Sequence, residues 1–295
     1  MSMNRRELLA LAAAGSALNL APRAIAAPAA ESAERRFKLG LVTYNLAPDW
    51  DLQTLIDRCK AAKIESVELR TSHKHGVEPT LTRQEREEVR KRCADAGLVI
   101  WGLGSVCEFH SPDPAVVQKN IETCHQFSQL AHDIGARGVK VRPNGLPKEV
   151  EEARTLEQIG KAIRKCAKRA QELGVEIWCE VHGHGTSDPA RMRTIMDHAD
   201  HPAAGVTWNS NGTDLKNGSV KEGFELLAKY IKSCHINDLT SGYPYRELFT
   251  LLRGIGYDRY TLIEHQAFAT KDPNDIVRIL RYYRALWNEL SSPKA

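Results

Sequence analysis

Four short β-branched runs in the second half of the chain end in residues that can hold a cation or move a proton. They read Glu176-Ile177-Trp178-Cys179-Glu180-Val181-His182, Val206-Thr207-Trp208-Asn209-Ser210-Asn211, Cys234-His235-Ile236-Asn237-Asp238 and Leu262-Ile263-Glu264-His265-Gln266. Strand period two places Glu180 and His182 on one face and Cys179 and Val181 on the other. Two carboxylates, an imidazole and an amide oxygen thus arrive from consecutive strand ends. A carboxylate there is costly to bury unless it is paired or bound to a cation. Oxygen and nitrogen donors without thiolate suit Mn²⁺, Mg²⁺, Co²⁺ or Zn²⁺. One such acid alone would often cap the following helix; four polar ends in register are harder to dismiss.

The elements that must position them alternate regularly. Apparent strands cover Lys38–Asn45, Ser66–Thr71, Val99–Ser105, Gly138–Arg142, Glu176–Val181, Gly205–Asn209, Lys232–Asn237 and Thr261–His265. Amphipathic stretches separate them, for example Leu52-Leu55-Ile56-Cys59 and Leu156-Ile159-Ile163-Ala167-Ala170. Helix starts are marked by Asp49 or Asp51, Asp188-Pro189 and Asp272-Pro273, and ends by Gly97, Gly135, Gly174 and Gly256. Eight strand–helix units without a composition break predict one α/β domain, a (β/α)8 barrel over 37–290. An open doubly wound sheet is the alternative, but no Gly-x-Gly-x-x-Gly follows the first strand. In a barrel the active site occupies the C-terminal strand ends, which is where the polar residues fall.

On these residues the chain resembles the xylose isomerase-like family of sugar phosphate isomerases and epimerases, across roughly Phe37 to Trp287. The resemblance lies in the strand of Tyr44, Glu180-Val181-His182, Trp208-Asn209-Ser210-Asn211, His235-Ile236-Asn237-Asp238 and Glu264. It implies one divalent metal ion held by Glu180, Asn209, His235 and Glu264. It also implies proton abstraction next to a ketose carbonyl through an enediolate, with Glu180 and Glu264 on opposite faces of the sugar. Asn209 stands where the family usually carries Asp, which should weaken the hold on a hard cation and leave the site about one charge more positive. Asn237 stands where Lys is common, removing a cation near the substrate.

Other strand ends extend the candidate list. His182 is read as a catalytic base or donor to a sugar hydroxyl, or equally as a hydrogen-bonded partner of Glu180. Lys140 and Arg142 share a face of the fourth strand; Arg142 is a ligand for the substrate or a counter-ion for Glu180 or Glu108. Glu108, His75 and Trp208 complete the expected substrate contacts, although loop histidines are polar by default and rim tryptophans commonly pack.

Hydrophobic content of 42% with 26% charged residues describes an ordinary globular chain. Arg5-Arg6 precede an apolar run from Leu8 to Ala21 and an Ala24-Ile25-Ala26 cleavage pattern. Residues 1–26 are therefore expected to be a twin-arginine-type export signal, 27–36 an exposed linker, and the destination the periplasm. The apolar run is too short for a membrane span. Losing that segment removes three arginines and one glutamate, so the formal charge falls from +4 to +2. No basic stripe suggests nucleic acid. The seven cysteines are odd in number and form no C-x-x-C pair, so no disulfide framework is signalled; folding in the cytoplasm before export would reconcile free thiols with an oxidising destination.

The expected partner is a small carbohydrate, and a homo-oligomer is compatible because such barrels often pair through helices or loops. Two further readings stay open. One is a metal-dependent lyase or hydratase on keto-sugars or 3-keto-glycosides, which export favours. The other is a non-catalytic sugar-binding barrel, for which Asn209 is the support. A nuclease of the related endonuclease class needs a multi-metal cluster, and the fourth strand offers Arg142 where that cluster would need an acid.

Overall fold

In a computed structural model, residues 34–293 are described. Eight parallel strands close into a barrel in sequence order, β1 pairing with both β2 and β8. The strands are β1 Lys38–Val42, β2 Ser66–Arg70, β3 Val99–Glu108, β4 Gly138–Arg142, β5 Glu176–Glu180, β6 Ala204–Trp208, β7 Ile231–Ile236 and β8 Tyr260–Ile263. The helices between and after them are α1 Leu52–Ala62, α2 Arg83–Asp95, α3 Pro114–Ile134, α4 Glu152–Glu172, α5 Pro189–Ala199, α6 Lys221–Leu227, α7 Tyr245–Gly254 and α8 Pro273–Ser291.

Local chemistry sets the boundaries. Asp51, Asp188 and Asp272 accept hydrogen bonds from the first free N–H groups of α1, α5 and α8, and the last two helices take proline in their first turn. Strand β3 runs three residues beyond the expected Ser105, because its register to β4 shifts between Gly104 and Glu108.

Side chains alternate between two cores. Those facing outward from the strands, such as Leu41, Val67, Leu69, Ile177 and Ile263, pack under the helices in one continuous apolar layer. Inside the barrel a small cluster of Val42, Trp101, Trp178 and Leu262 fills the middle. The Trp178 indole occupies the space beside Gly102 and Gly138, where an added Cβ would lie 2.7 and 2.4 Å from its ring. Below it, at the N-terminal strand ends, Glu176 is tied to Arg259 (2.6 Å), Arg137 (2.9 Å) and the Trp178 Nε1–H (2.9 Å). The barrel is thus closed beneath its own mouth.

The expected signal 1–26 lies outside the described residues, as does 27–33 of the expected linker. The end of that linker is not free. Arg35 donates to Asn288 and Ser291 and lies over the Trp287 ring, so the segment docks on α8. Among the described residues no helix is long and apolar enough to cross a membrane, and all seven cysteines are buried and unpaired.

Candidate active site

Because successive strand residues face opposite ways, alternate residues at the upper strand ends point into the mouth. Those positions are Glu68 and Arg70 on β2, Lys140 and Arg142 on β4, Glu180 at the end of β5, and His235 on β7. Asn209 and Glu264 follow β6 and β8 directly. Glu68, Lys140, Glu180, Asn209 and His235 are all buried, with Glu68 and His235 fully so.

His235 is the hub. Its Nε2 lies 3.2 Å from Glu68 Oε2. Its Nδ1 lies 3.4 Å from Glu180 Oε1 and 3.3 Å from Glu264 Oε2, yet satisfies no hydrogen bond to either. An imidazole that donates from Nε2 to Glu68 would aim the Nδ1 lone pair at two carboxylates. That arrangement requires a positive charge at Nδ1. Burial would lower the pKa of His235, but Glu264, Glu68 and Glu180 outweigh it and hold it well above the ordinary value.

A divalent cation fits the same requirement. Ligand atoms of Glu180, His235 and Glu264 all lie within 4.8 Å of one another. The Asn209 Oδ1, buried beside them, has no hydrogen-bond partner, while its amide nitrogen reaches Glu180 Oε1 at 3.4 Å. Glu180 divides its two oxygens: Oε2 accepts from Lys140 at 2.7 Å, leaving Oε1 for the centre. Burial would raise the Glu180 pKa, but Lys140 and His235 carry it well below the usual carboxylate range. With a metal ion in place of the proton on Nδ1, three carboxylates, one ammonium and a neutral imidazole leave a formal charge of −2 around the hub. One divalent ion balances that charge. The charge removed by asparagine at 209 is thus offset by Glu68, one layer behind the imidazole.

Of the expected substrate contacts, the structure brings Lys140, Arg142 and His182 to the mouth, a cavity of about 500 Å³ shared with Glu180, Asn209 and Glu264. Lys140 is committed to Glu180. Arg142 pairs with Glu108 (2.5 Å), and Glu108 also accepts from Asn144. The His182 Nδ1 contacts Asn144 Oδ1 at 3.0 Å instead of pairing with Glu180. Gly183, at φ +93°, allows this approach, since a Cβ there would lie 2.6 Å from Asn144 Cα.

Three expected contacts do not line the mouth, the first being Glu108, which is taken up by Arg142 and Asn144. Trp208 is fully buried on the outward face of β6, packed on Phe224 and donating from Nε1 to Tyr243, because its neighbour Asn209 takes the inward direction. His75 is buried in the turn after β2, with Nε2 at 2.9 Å from the Arg70 carbonyl and Nδ1 accepting from the Val77 N–H. Burial lowers its pKa to about 4. It shapes the turn and touches no part of the cavity.

Glu68 and Arg70 escaped a reading that looked only at residues terminating the strands. The signal is present in Ser66-Val67-Glu68-Leu69-Arg70, whose polar residues alternate with apolar ones along a strand facing both cores.

A family model described as the xylose isomerase-like TIM barrel matches residues 56–286. A search of curated proteins returned no match. Similar solved structures include D-psicose 3-epimerase in the presence of D-fructose (13% identity, TM-score 0.74, covering 86% of this chain and 99% of that one). They also include L-ribulose 3-epimerase (18%, 0.72, 86% and 94%) and 3-keto-D-glucoside 4-epimerase from E. coli (14%, 0.69, 84% and 98%). At such identities the likeness establishes the fold. With most of its length matched by the family model, this chain belongs to the xylose isomerase-like TIM barrel family.

Proposed function

We propose that the chain is a divalent-metal-dependent sugar isomerase or epimerase that removes a proton from the carbon next to a carbonyl. The observation that carries this reading is the unsatisfied pair of His235 Nδ1 and Asn209 Oδ1, facing Glu180 and Glu264. Its structural neighbours include three epimerases of ketoses or a keto-glucoside, which supports a carbohydrate substrate.

Glu180, Asn209, His235 and Glu264 would hold the divalent ion, which when bound would supply Lewis-acid stabilisation of a substrate oxyanion. The chain's own residues do the rest. Glu264, partly exposed in the mouth, removes or returns the proton. Glu180, deeper and fixed through Oε2 by Lys140, acts from the other side. The Lys140 contact keeps Glu180 ionised and prevents rotation of its carboxylate, so Oε1 stays directed at the centre. The Trp178–Trp101 stack beneath, with ring centroids 5.1 Å apart, excludes water from below.

The test is a panel of ketoses and keto-glycosides incubated with the protein in D₂O, with Mn²⁺ or with chelator, and followed by NMR. Deuterium is expected to enter at one carbon only when the metal is present. Glu180→Gln and Glu264→Gln should each slow incorporation by about 10²–10⁴-fold. Incorporation that ignores the metal and both substitutions, or none across the panel, contradicts the proposal. Release of an aglycone or of water would move the assignment to a lyase using the same proton abstraction.

A further inference from the structure

Arg70 ends β2 on the same inward face as Ser66 and Glu68 and lines the mouth with Glu180, Glu264 and His182. Among the described residues its guanidinium makes no hydrogen bond and no ion pair. Within the same residues its one ring contact is the Tyr44 face, 5.4 Å from the centroid, and Tyr44 is itself 42% exposed. A cation–π contact at such a site contributes only ~0.5–1 kcal/mol. Gly104 on β3 makes room for the arrangement, since a Cβ there would stand 3.0 Å from Glu68 Oε1 and 3.2 Å from Arg70 Cδ.

The other cations of the cavity are already committed, Lys140 to Glu180 and Arg142 to Glu108. Arg142 retains one unused donor: its Nε is buried without a partner. Arg70 is partly desolvated and sits close enough to Arg142 for that charge to weigh against its own, burial being the larger effect. Glu68 and Glu180 act on it from a distance in the opposite sense, but no acid pairs with its guanidinium, which leaves the fork open to an incoming anion.

Resting on the isomerase reading above, we infer that Arg70 anchors a carboxylate on the substrate, so that the preferred sugar is a keto-sugar acid and not a neutral ketose. The planar fork of arginine matches a carboxylate with two parallel hydrogen bonds. A phosphate would bring nearly two charges, and among the described residues the mouth offers a single unpaired cation. A monoanion fits that supply.

The test is calorimetric titration of the full chain, loaded with Mn²⁺, with D-fructose, D-fructuronate and D-fructose 6-phosphate, which differ at one carbon. Glucose with glucuronate and galactose with galacturonate serve as further neutral and acidic pairs. The acid of a pair is expected to bind at least about tenfold tighter than its neutral partner, a difference of about 1.4 kcal/mol. Arg70→Gln should abolish that preference, and Arg70→Lys, which keeps the charge but loses the fork, should restore part of it. No preference for acids in wild-type protein, a preference that survives Arg70→Gln, or tighter binding of the phosphate than of the uronate overturns the inference. The wild-type arm decides even if a variant fails to fold. Metal-dependent deuterium exchange on neutral ketoses without acid preference would remove this inference alone. Acid preference through Arg70 without any exchange would remove the isomerase reading alone.

Discussion

Glu68 and His235 lie 167 residues apart in sequence and meet inside the barrel, where neither has access to solvent. The contact determines which imidazole nitrogen faces the mouth. A carboxylate behind a ligating histidine fixes its tautomer and raises its basicity, and loss of such a partner costs 10- to 100-fold in metal affinity. Glu68→Gln should therefore weaken Mn²⁺ binding by about that factor while leaving all four ligands in place; competition against a fluorescent chelator measures it. Unchanged affinity would reduce Glu68 to a buried charge balanced by its neighbours. That Glu180, Asn209, His235 and Glu264 stand at the upper strand ends was legible in the sequence, because period two and the strand ends locate them without tertiary information. Glu68 and Arg70 were not found there, since only closure of the barrel tells which inward residue of β2 faces which residue of β7. The same limit explains Trp208 and His75: adjacency in sequence to the mouth says nothing about which side of the strand, or which side of the turn, a ring occupies.

At the scale of elements, β5 carries the molecule's electrostatics at both ends. Its upper end, Glu180, serves the mouth; its lower end, Glu176, is held by Arg259, Arg137, Lys232 and Trp178. Burial would raise the Glu176 pKa, but the hydrogen bonds from Arg259 and Trp178 and the charges of Arg259 and Lys232 lower it from 4.5 to about 2. A carboxyl with a depressed folded-state pKa takes up its proton first in the unfolded chain. Its stabilisation is therefore present above pH 4.5 and is lost as the pH falls toward 2. Glu176→Gln should lower stability by about 2 kcal/mol near neutral pH, because it takes the charged acceptor from the part-buried Arg259 and Lys232. Chemical denaturation at stepped pH should show that deficit shrinking across this acid window; a deficit independent of pH would mean that packing, not charge, is what the substitution removes. The elements themselves were largely readable. Gly97, Gly135, Gly174 and Gly256 all take left-handed φ at helix ends, as their positions imply. The extra length of β3 was not readable, because a register shift leaves no mark on composition.

Seen as a whole molecule, the barrel separates its tasks along one axis: an ion-paired floor at Glu176, an aromatic middle at Trp178 and Trp101, and a charged mouth above them. The eight-unit alternation made the closed barrel evident from sequence, since no other closed arrangement of parallel strands accommodates it so simply. The proposed chemistry depends on that mouth gathering a divalent ion. Calorimetric titration of chelator-treated protein with Mn²⁺ tests this most directly. A single saturable site per chain is predicted, lost in His235→Ala and strongly weakened in Glu264→Gln. Absence of saturable binding, or binding that both variants leave unchanged, would contradict it.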